Sequence, residues 1–215
     1  MASHAAPLVW IDCEMTGLDP DSDEIIEIFC LLTDGNLELI DPAGWGTVVH
    51  QPKARMDLMD DWCTRTHRDS GLTAAVISSA VTPEEAAEGL LAYIQKYIPQ
   101  RRVALLAGNS VHADRAFLRK EPYRKVVDHL HHRLMDVSTI KEAAKRWCPE
   151  IARRAPSKAG LHQAKQDIIE SIEEAKYFKK AIFQPAATGN GAAASAPGSK
   201  PAGGAGGEAL ASWGA

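Results

Sequence analysis

Two acidic residues follow directly after a short apolar run near the start of the chain. Asp12 and Glu14 come after residues 8–11, whose sequence Leu-Val-Trp-Ile is typical of a buried β-strand. Because side chains alternate along a strand, residues two apart leave it on the same face, about 7 Å apart. Two buried carboxylates repel each other and are costly to desolvate unless a cation lies between them. The pair therefore indicates a site for Mg²⁺ or Mn²⁺, which prefer oxygen ligands. Two solvated acids on a surface strand are the alternative.

Two further acids and a histidine occupy positions from which they could reach the same site. Residues 103–107 form a predicted buried strand that ends in Gly-Asn-Ser, and Asp114 follows one turn into the next helix. This is the edge at which open α/β sheets usually bind ligands, although a helix dipole alone also favours an acid there. Asp167 lies five residues after His162. The two can share a cleft if His162 lies in the loop before the last helix or in its first turn.

The four acids and the histidine together fit the hydrolysis of a phosphodiester bond. Four carboxylates around two divalent ions about 4 Å apart form the two-metal arrangement for in-line displacement. A histidine, whose unperturbed pKa is about 6.5, can take the proton of an attacking water near neutral pH. A lone histidine near a helix start is more often structural, so this interpretation depends on the whole set.

The elements that must position these residues follow from the hydrophobic pattern, which predicts a mixed sheet with helices. Residues 24–33, 37–40 and 47–50 are predicted to form an antiparallel meander beside the first strand. Thr82 and Glu85 form a predicted capping box before a helix that ends ahead of Pro99. The other predicted helices cover 57–67, a segment around Asp114, 136–147, and 163 to about 183. Residues 129–133 are interpreted as a solvated or phosphate-facing segment, because no cysteine or carboxylate there has zinc spacing.

Composition limits the class of protein. The chain of 215 residues carries a net charge of −4, which argues against a wide basic stripe that tracks a long polyanion. A short phosphorylated ligand remains compatible with that charge. No run of about 18 apolar residues is present, so we expect no membrane span. The cysteines lack paired spacing and are expected to be reduced thiols in a reducing compartment: Cys13, Cys30, Cys63 and Cys148.

The two ends of the chain differ in character. Seven residues precede the first strand and carry no targeting signal, so we expect a cytoplasmic protein. A mitochondrial location is the alternative if a targeting extension is missing from this chain. After residue 184 the composition changes to Ala, Gly, Ser and Pro, which cannot bury enough apolar surface to fold. We therefore expect one domain over residues 1–184 and a disordered tail over 185–215.

The ordered pattern of acids resembles that of the DEDDh exonucleases of the ribonuclease H-like fold. The resemblance rests on Asp12-x-Glu14, on Asp114 in Gly-Asn-Ser-x-x-x-Asp-Arg-x-Phe-Leu, and on His162-x4-Asp167. The flanking sequence is more similar still to the oligoribonuclease branch, which cleaves very short RNA from the 3′ end. The resemblance extends from residue 8 to about 184. The matching stretches are 10–19, 59–62, 65–67, 108–118, 136–139, 146–147 and 162–164.

The resemblance implies a five-stranded mixed sheet flanked by helices and a two-metal 3′–5′ exoribonuclease. His162 would be the general base. Leu18 would wedge between the two bases of the substrate, and Trp62 would stack on the base at the scissile end. The two Mg²⁺ or Mn²⁺ ions would be bound by Asp12, Glu14, Asp114 and Asp167. The 5′ phosphate would be capped by His67, Ser110, Arg133 and Ser138, which limits the substrate to a few nucleotides.

The family works as a homodimer, and this chain departs from its pattern at two positions. In the family, a tyrosine beside the arginine of the cap reaches in from the partner subunit; here that position is His132. A histidine can still donate a hydrogen bond but is shorter. Gln166 replaces an acid commonly found just before the last metal ligand. Because Asp167 keeps its spacing from His162, we expect the metal site to be retained.

Three other functions fit parts of the pattern. Asp12-x-Glu14-x-Thr16 after a buried strand resembles the nucleophile loop of haloacid-dehalogenase-type phosphatases, but that mechanism has no use for His162 and Asp167. A catalytically silent RNA-binding or scaffold protein could keep the fold, although all five catalytic residue types are present. A related exonuclease could act on DNA, since contacts to the 2′-hydroxyl decide sugar preference.

Overall fold

The computed structural model describes residues 6–156 and 164–184, which form one mixed sheet with helices on both faces. The strands are β1 (Leu8–Met15), β2 (Ile25–Thr33), β3 (Trp45–Val48), β4 (Leu105–Gly108) and β5 (His131–Asp136). The first helices are α1 (Lys53–Met56), α2 (Asp61–Asp69), α3 (Leu72–Ser78) and α4 (Pro83–Tyr97). The others are α5 (His112–Leu118), α6 (Arg124–His129), α7 (Val137–Trp147), α8 (Pro149–Arg153) and α9 (Ala164–Phe178). A π-helical turn, Lys179–Phe183, follows α9.

Strand β1 lies at the centre of the sheet, whose order is β3-β2-β1-β4-β5. It pairs antiparallel with β2 and parallel with β4, and β5 pairs parallel with β4 at the edge. The predicted five-stranded mixed sheet flanked by helices is therefore confirmed. The parallel arrangement brings the carboxyl ends of β1, β4 and β5 to one edge, where the predicted acids lie.

Side chains of β1 alternate between two apolar cores, as the pattern predicts. Val9, Ile11 and Cys13 pack with α4, α5 and α6 on one face. Leu8 and Trp10 pack with α7 and α9 on the other face. Asp12 and Glu14 continue the second series, so both carboxylates leave the sheet toward α9.

One strand prediction requires correction, and one strand was not predicted. Residues 37–40 do not form a strand; they contribute a single bridge between Leu39 and Thr33. Leu37 has a backbone φ of +72°, which lies outside the β region, so the chain cannot continue as a strand there. Its side chain is buried in the second core. The segment over residues 129–133, interpreted as solvated or phosphate-facing, enters β5, in which His132 and Arg133 are exposed. Strand β5 lies at the edge of the sheet, where charged side chains are exposed to solvent. Its sequence therefore lacks the hydrophobic pattern from which a buried strand is predicted.

The helix predictions were mostly confirmed, with shifted boundaries. Thr82 and Glu85 form the predicted capping box at the start of α4. The predicted helix over 57–67 begins later, at Asp61, because the Asp60 side chain accepts a hydrogen bond from the Cys63 amide and caps it. The short helices α1, α3, α6 and α8 were not predicted, and their length leaves little periodicity to detect. In the part of the chain that the structure describes, no helix has both the length and the apolar character to cross a membrane.

Candidate active site

Three acidic side chains converge at the carboxyl end of β1. Asp12 and Glu14 from β1 and Asp167 from the first turn of α9 each have a carboxylate oxygen within 4.8 Å of the others. All three side chains are partly buried. Carboxylate oxygens at this spacing are suitable ligands for a hard divalent cation. The convergence of these acids agrees with the sequence prediction.

The electrostatic environment of Glu14 favours its neutral form in the absence of a cation. Burial, together with the nearby carboxylates of Glu27, Asp167 and Asp114, raises the pKa of Glu14 to about 8; burial is the largest of these causes. Glu27 lies directly across the sheet in the β1–β2 register, and burial raises its pKa as well. Repulsion between acids that the fold holds together is the usual sign of a missing positive charge.

Asp114 lies next to this cluster but on the other side of β1. Its Oδ1 accepts a hydrogen bond of 3.0 Å from the Cys13 amide, between the two acids of β1. Burial is the main cause that raises the pKa of Asp114 to about 7. Asp114 does not belong to the set of oxygens within 4.8 Å of one another, because it approaches from α5, which packs on the opposite face of the sheet. The structure thus brings together three of the predicted metal ligands, Asp12, Glu14 and Asp167. The fourth, Asp114, lies against the backbone of Cys13.

The loop after β1 carries Leu18, whose side chain is 85% exposed, and is held by a buried anchor. Arg55 donates hydrogen bonds to Thr16 Oγ1, to the Ser22 carbonyl and to Asp23 Oδ1. A Cβ at Gly17 would lie 2.7 Å from Asp23 Cγ, so only glycine fits there without moving this anchor. The loop is therefore fixed at its base and presents an apolar side chain to solvent.

Leu18 and Trp62 line one cavity of about 500 Å³ beside Glu14. Trp62, in the first turn of α2, is 53% exposed although it is a large aromatic residue. His67 lines the same cavity from one turn further along α2, and its Nε2 donates to the Met15 carbonyl at 3.0 Å. An exposed leucine and an exposed tryptophan around a cavity at an acidic cluster form a surface on which nucleic-acid bases can stack.

Ser110 and Ser138 meet at the carboxyl ends of β4 and β5. The Ser110 amide donates to Asp136 Oδ1 and to Ser138 Oγ, both at 3.0 Å, and the two hydroxyls lie 3.2 Å apart. Asp136 caps α7 by accepting from the Ser138 amide. Ser110 has φ +52°, a backbone strain that persists mainly at functional positions. Two of the predicted cap residues are thus in contact, whereas His67 belongs to the cavity around Trp62.

A buried polar network supports this serine pair from below. Ser138 Oγ donates to Asn109 Oδ1, and Asn109 Nδ2 donates to Ser171 Oγ and to Glu174 Oε2. Glu174 is 1% exposed and pairs with Lys141 at 2.8 Å. These residues were missed by the sequence analysis. The sequence signal for them was spacing: Ser171 and Glu174 follow Asp167 by four and seven residues, which places all three on one face of α9.

His132 and Arg133 project from an irregularity in β5. Leu105 of β4 is paired with His131 and the next residue, Leu106, with Leu134, so two residues of β5 bulge out of the register. The Arg133 amide donates to His131 Nδ1, and the His131 and His132 rings stack at 4.3 Å. Bulges of this kind redirect side chains next to active sites. His132 and Arg133 are consequently exposed at the edge of the sheet.

His162 lies outside the described residues, and so does the loop that leads into α9. The same holds for the expected disordered tail over residues 185–215.

Comparison with known proteins agrees with this geometry. The family model described as Exonuclease, RNase_T, matches residues 9–175. The chain is 47% identical over 179 residues to a probable oligoribonuclease of Schizosaccharomyces pombe, an alignment that covers 83% of this chain and 69% of that protein. It is 43% identical over 182 residues to the mitochondrial oligoribonuclease of Homo sapiens, covering 85% and 76%.

A solved structure shows the same fold in a much larger protein. The zinc-bound complex of Escherichia coli exonuclease I with single-stranded DNA superimposes with a TM-score of 0.62 at 13% identity. The match covers 84% of this chain but only 42% of exonuclease I. At this identity the likeness concerns the fold alone. The family match and the two relatives over most of their length, together with the acidic cluster, place this chain in the oligoribonuclease family of 3′–5′ exoribonucleases.

Proposed function

We propose that this enzyme hydrolyses short oligoribonucleotides, down to dinucleotides, from the 3′ end to 5′-mononucleotides, as the final step of RNA degradation. The observation that carries the proposal is the convergence of Asp12, Glu14 and Asp167 beside the exposed Leu18 and Trp62. The acids supply the metal-binding part of a nuclease site, and the apolar pair supplies a surface for two bases. The similarity to proteins named oligoribonuclease supports RNA as the substrate.

Asp12, Glu14, Asp114 and Asp167 are the proposed ligands of two Mg²⁺ or Mn²⁺ ions. The fit of Asp12, Glu14 and Asp167 is supported by their close carboxylate oxygens and by the raised pKa of Glu14, which a cation would lower again. When bound, the ions would acidify the attacking water and neutralise charge on the phosphate and the leaving 3′ oxygen. The hydrogen bond from the Cys13 amide holds Asp114 Oδ1 against β1, between Asp12 and Glu14.

His162 is the proposed general base. Its assignment is supported by its position five residues before Asp167 and by the family resemblance. An imidazole suits this role because it can accept a proton near neutral pH without competing for the metal ions, as a further carboxylate would.

Leu18 and Trp62 are proposed to hold the two bases of the substrate, Leu18 as a wedge and Trp62 by stacking on the base at the scissile end. The 5′ phosphate would be capped by Ser110, Ser138 and Arg133, together with the partner's His132. His67 is proposed for the cap on the family resemblance alone, because in this structure it lines the cavity around Trp62. The exposed Ser110 hydroxyl and the Arg133 guanidinium are suitable donors to a phosphate group, whereas the Ser138 hydroxyl, which donates to Asn109, would hold Ser110 in place. The cap would favour very short substrates, and longer RNA, whose 5′ phosphate cannot reach it, would react more slowly.

Residues 1–184 are the proposed exonuclease domain, and residues 185–215 are proposed to lie outside it. The active form would be a homodimer, which the exposed bulge of β5 supports, because His132 is free to reach another subunit only from such an edge. A cytoplasmic location is proposed, with mitochondria as the alternative that the human relative's name supports.

The test is a time course with 5′-labelled dinucleotides, as RNA and as DNA, in Mg²⁺ and in EDTA. We expect Mg²⁺-dependent cleavage of the RNA dinucleotide that Asp12→Ala abolishes. Glu88→Gln, which removes an exposed acid from α4, is the matched control and should retain activity. A 5′-phosphorylated hexaribonucleotide should be cleaved more slowly than the dinucleotide.

Other outcomes would select other functions. Retained binding with no cleavage of either dinucleotide would favour a silent RNA-binding protein. Cleavage restricted to longer DNA would favour a DNA exonuclease. Trapping of a phosphoryl group on Asp12 would favour a phosphatase. Loss of turnover in His162→Ala with unchanged Mg²⁺ binding would support the general base separately from the metal site.

A further inference from the structure

Four arginines from different parts of the fold surround a cavity on the outer side of β5. The cavity has a volume of about 470 Å³ and lies between α5, α6 and the loop before β4. Its size falls in the usual range of small-molecule sites, roughly 300–1,000 Å³. The charged lining residues are Arg102, Arg115, Arg119, Arg124 and Asp128; Val127, Leu130 and His132 complete it.

Three of these guanidinium groups have no partner among the residues that the structure describes. Across residues 6–156 and 164–184, the side chains of Arg102, Arg115 and Arg119 make no hydrogen bond or ion pair. Arg124 faces Asp128 at 3.7 Å, a long and solvent-exposed pair. The cavity therefore gathers four positive charges against one carboxylate, in a chain whose net charge is −4. Like charges held together in this way repel one another unless an anion binds between them.

The backbone also holds Arg102 at this position. Its φ of +62° is uncommon for a residue with a side chain, and its amide donates to the His129 carbonyl at 2.7 Å. Strain at a non-glycine residue persists where the surroundings impose it, often at a ligand site. The strained turn thus places Arg102 in the lining of the cavity, together with Arg119, which directly follows α5.

We propose that this cavity binds the phosphate groups of a nucleotide, at a site separate from the acidic cluster. Guanidinium groups match phosphate oxygens in geometry and remain charged at all physiological pH values. A ligand with two phosphate groups balances the excess positive charge. Val127 and the His132 ring offer an apolar and aromatic surface for the base.

The phosphates can come from two sources. A free nucleoside diphosphate would occupy the cavity alone. A longer RNA would place its upstream phosphates there, because His132 lines the cavity and also lies next to Arg133 of the proposed cap. The proposal does not depend on cleavage, and dinucleotide hydrolysis by the unaltered protein tests the proposed function separately.

The experiment measures binding in EDTA by titration calorimetry, with Asp12→Asn in every protein to prevent turnover. The ligands are ADP, a 5′-phosphorylated dinucleotide and a 5′-phosphorylated hexaribonucleotide. The test variant is Arg102→Gln with Arg119→Gln. The control is Arg68→Gln with Arg153→Gln, which removes the same charge from exposed arginines that pair with neighbouring acids on α2 and α8. If the double variant fails to fold, Arg119→Gln alone replaces it as the test variant.

We expect the test variant, and not the control, to weaken binding of ADP or of the hexaribonucleotide at least tenfold, with dinucleotide binding within twofold. Loss confined to ADP identifies a free nucleotide, and loss confined to the hexaribonucleotide identifies upstream RNA. Equal losses in both double variants, or none, would overturn the proposal. So would a change of sedimentation coefficient in the test variant without ligand, which would make the cavity a subunit contact.

Discussion

Glu14 lies where desolvation and neighbouring acids oppose its ionisation, yet metal binding requires the ionised form. Its pKa of about 8 exceeds the ordinary value of 4.5, so the metal-free folded state binds a proton that the unfolded state has released. Stability of the metal-free protein must then fall as pH rises from 4.5 to 8. The same holds for Asp114 up to about pH 7. A bound cation reverses this dependence because it favours the carboxylate.

We predict that in EDTA the unfolding free energy falls by an amount on the order of a few kcal/mol between pH 5 and pH 8.5. Glu14→Gln should flatten the decline most clearly between pH 7 and 8, where Asp114 has already ionised. Added Mg²⁺ should raise the melting temperature of the unaltered protein more at pH 8 than at pH 6. Denaturant titrations at each pH provide the measurement, and an unchanged slope in Glu14→Gln would contradict the assignment.

Gly17 and Gly71 provide a second, matched prediction at the scale of single residues. An alanine Cβ at Gly17 meets the Asp23 carboxylate, which Arg55 and Thr16 hold in place, whereas at Gly71 it meets nothing within 4 Å. Gly71 has φ +81°, so alanine there strains the backbone instead. Gly17→Ala should displace the Leu18 loop and lower kcat/KM for the dinucleotide tenfold or more.

Gly71→Ala should lower the melting temperature while kcat/KM stays within about twofold. Steady-state kinetics and thermal denaturation on both variants distinguish the two effects. Equal activity in Gly17→Ala and Gly71→Ala would show that the loop anchor does not position the substrate.

Among the elements, β1 and α4 were predictable because their signals are local. Four apolar residues lead into the acids of β1, and the capping box fixes the start of α4 within the sequence itself. Strand β5 was not predictable from its pattern, since it is an edge strand with a bulge at His132 and Arg133. Leu37 misled the strand prediction because its left-handed backbone depends on the turn around it. In the site, the acids on β1 could be predicted from the local sequence. The position of Glu27 depends on the register between β1 and β2, and that of Glu174 depends on the packing of α9, so neither could be predicted.

The network below the serine pair makes a prediction for the element α9. Glu174→Gln keeps an acceptor for Asn109 but removes the charge that pairs with Lys141, so it should cost roughly 1–3 kcal/mol of stability. It should raise KM for the 5′-phosphorylated dinucleotide more than it lowers kcat. Glu173→Gln, an exposed acid paired with Lys176 on the same helix, is the control and should change neither quantity. A fall in kcat alone would place Glu174 in the chemistry instead of the cap.

At the scale of the whole molecule, charge is segregated although the net value is small. One edge of the sheet gathers carboxylates beside an apolar cavity, and the outer side of β5 gathers arginines. The weakly acidic composition argued against a wide basic stripe, but composition alone could not show a local cluster of arginines. Arg102, Arg115, Arg119 and Arg124 are separated along the chain and meet only through the packing of α5 and α6.

The proposed domain boundary gives a truncation test. A chain of residues 1–184 should keep the melting temperature and the kcat/KM of the full chain, because the described cores draw on residues up to Ile182. A chain that ends at residue 178 should be less stable, since it loses Ile182 and the hydrogen bond from Lys179 to the Asn36 carbonyl. A large loss of activity in the 1–184 chain would give residues 185–215 a role in substrate binding or assembly.

The hydrogen bonds around Asn109 have a thermodynamic consequence. Ser171 donates to the Asp167 carbonyl at 2.7 Å and accepts from Asn109, so one continuous path joins a proposed metal ligand to the serines of the proposed cap. Two binding events on such a path are reciprocal: whatever factor Mg²⁺ adds to the affinity for a 5′ phosphate, the phosphate adds to the affinity for Mg²⁺. An RNA fragment that lacks a 5′ phosphate would then lose its contacts to the cap and would also lower the affinity of the site for Mg²⁺. The same hydrogen bonds would thus select against this fragment at both sites.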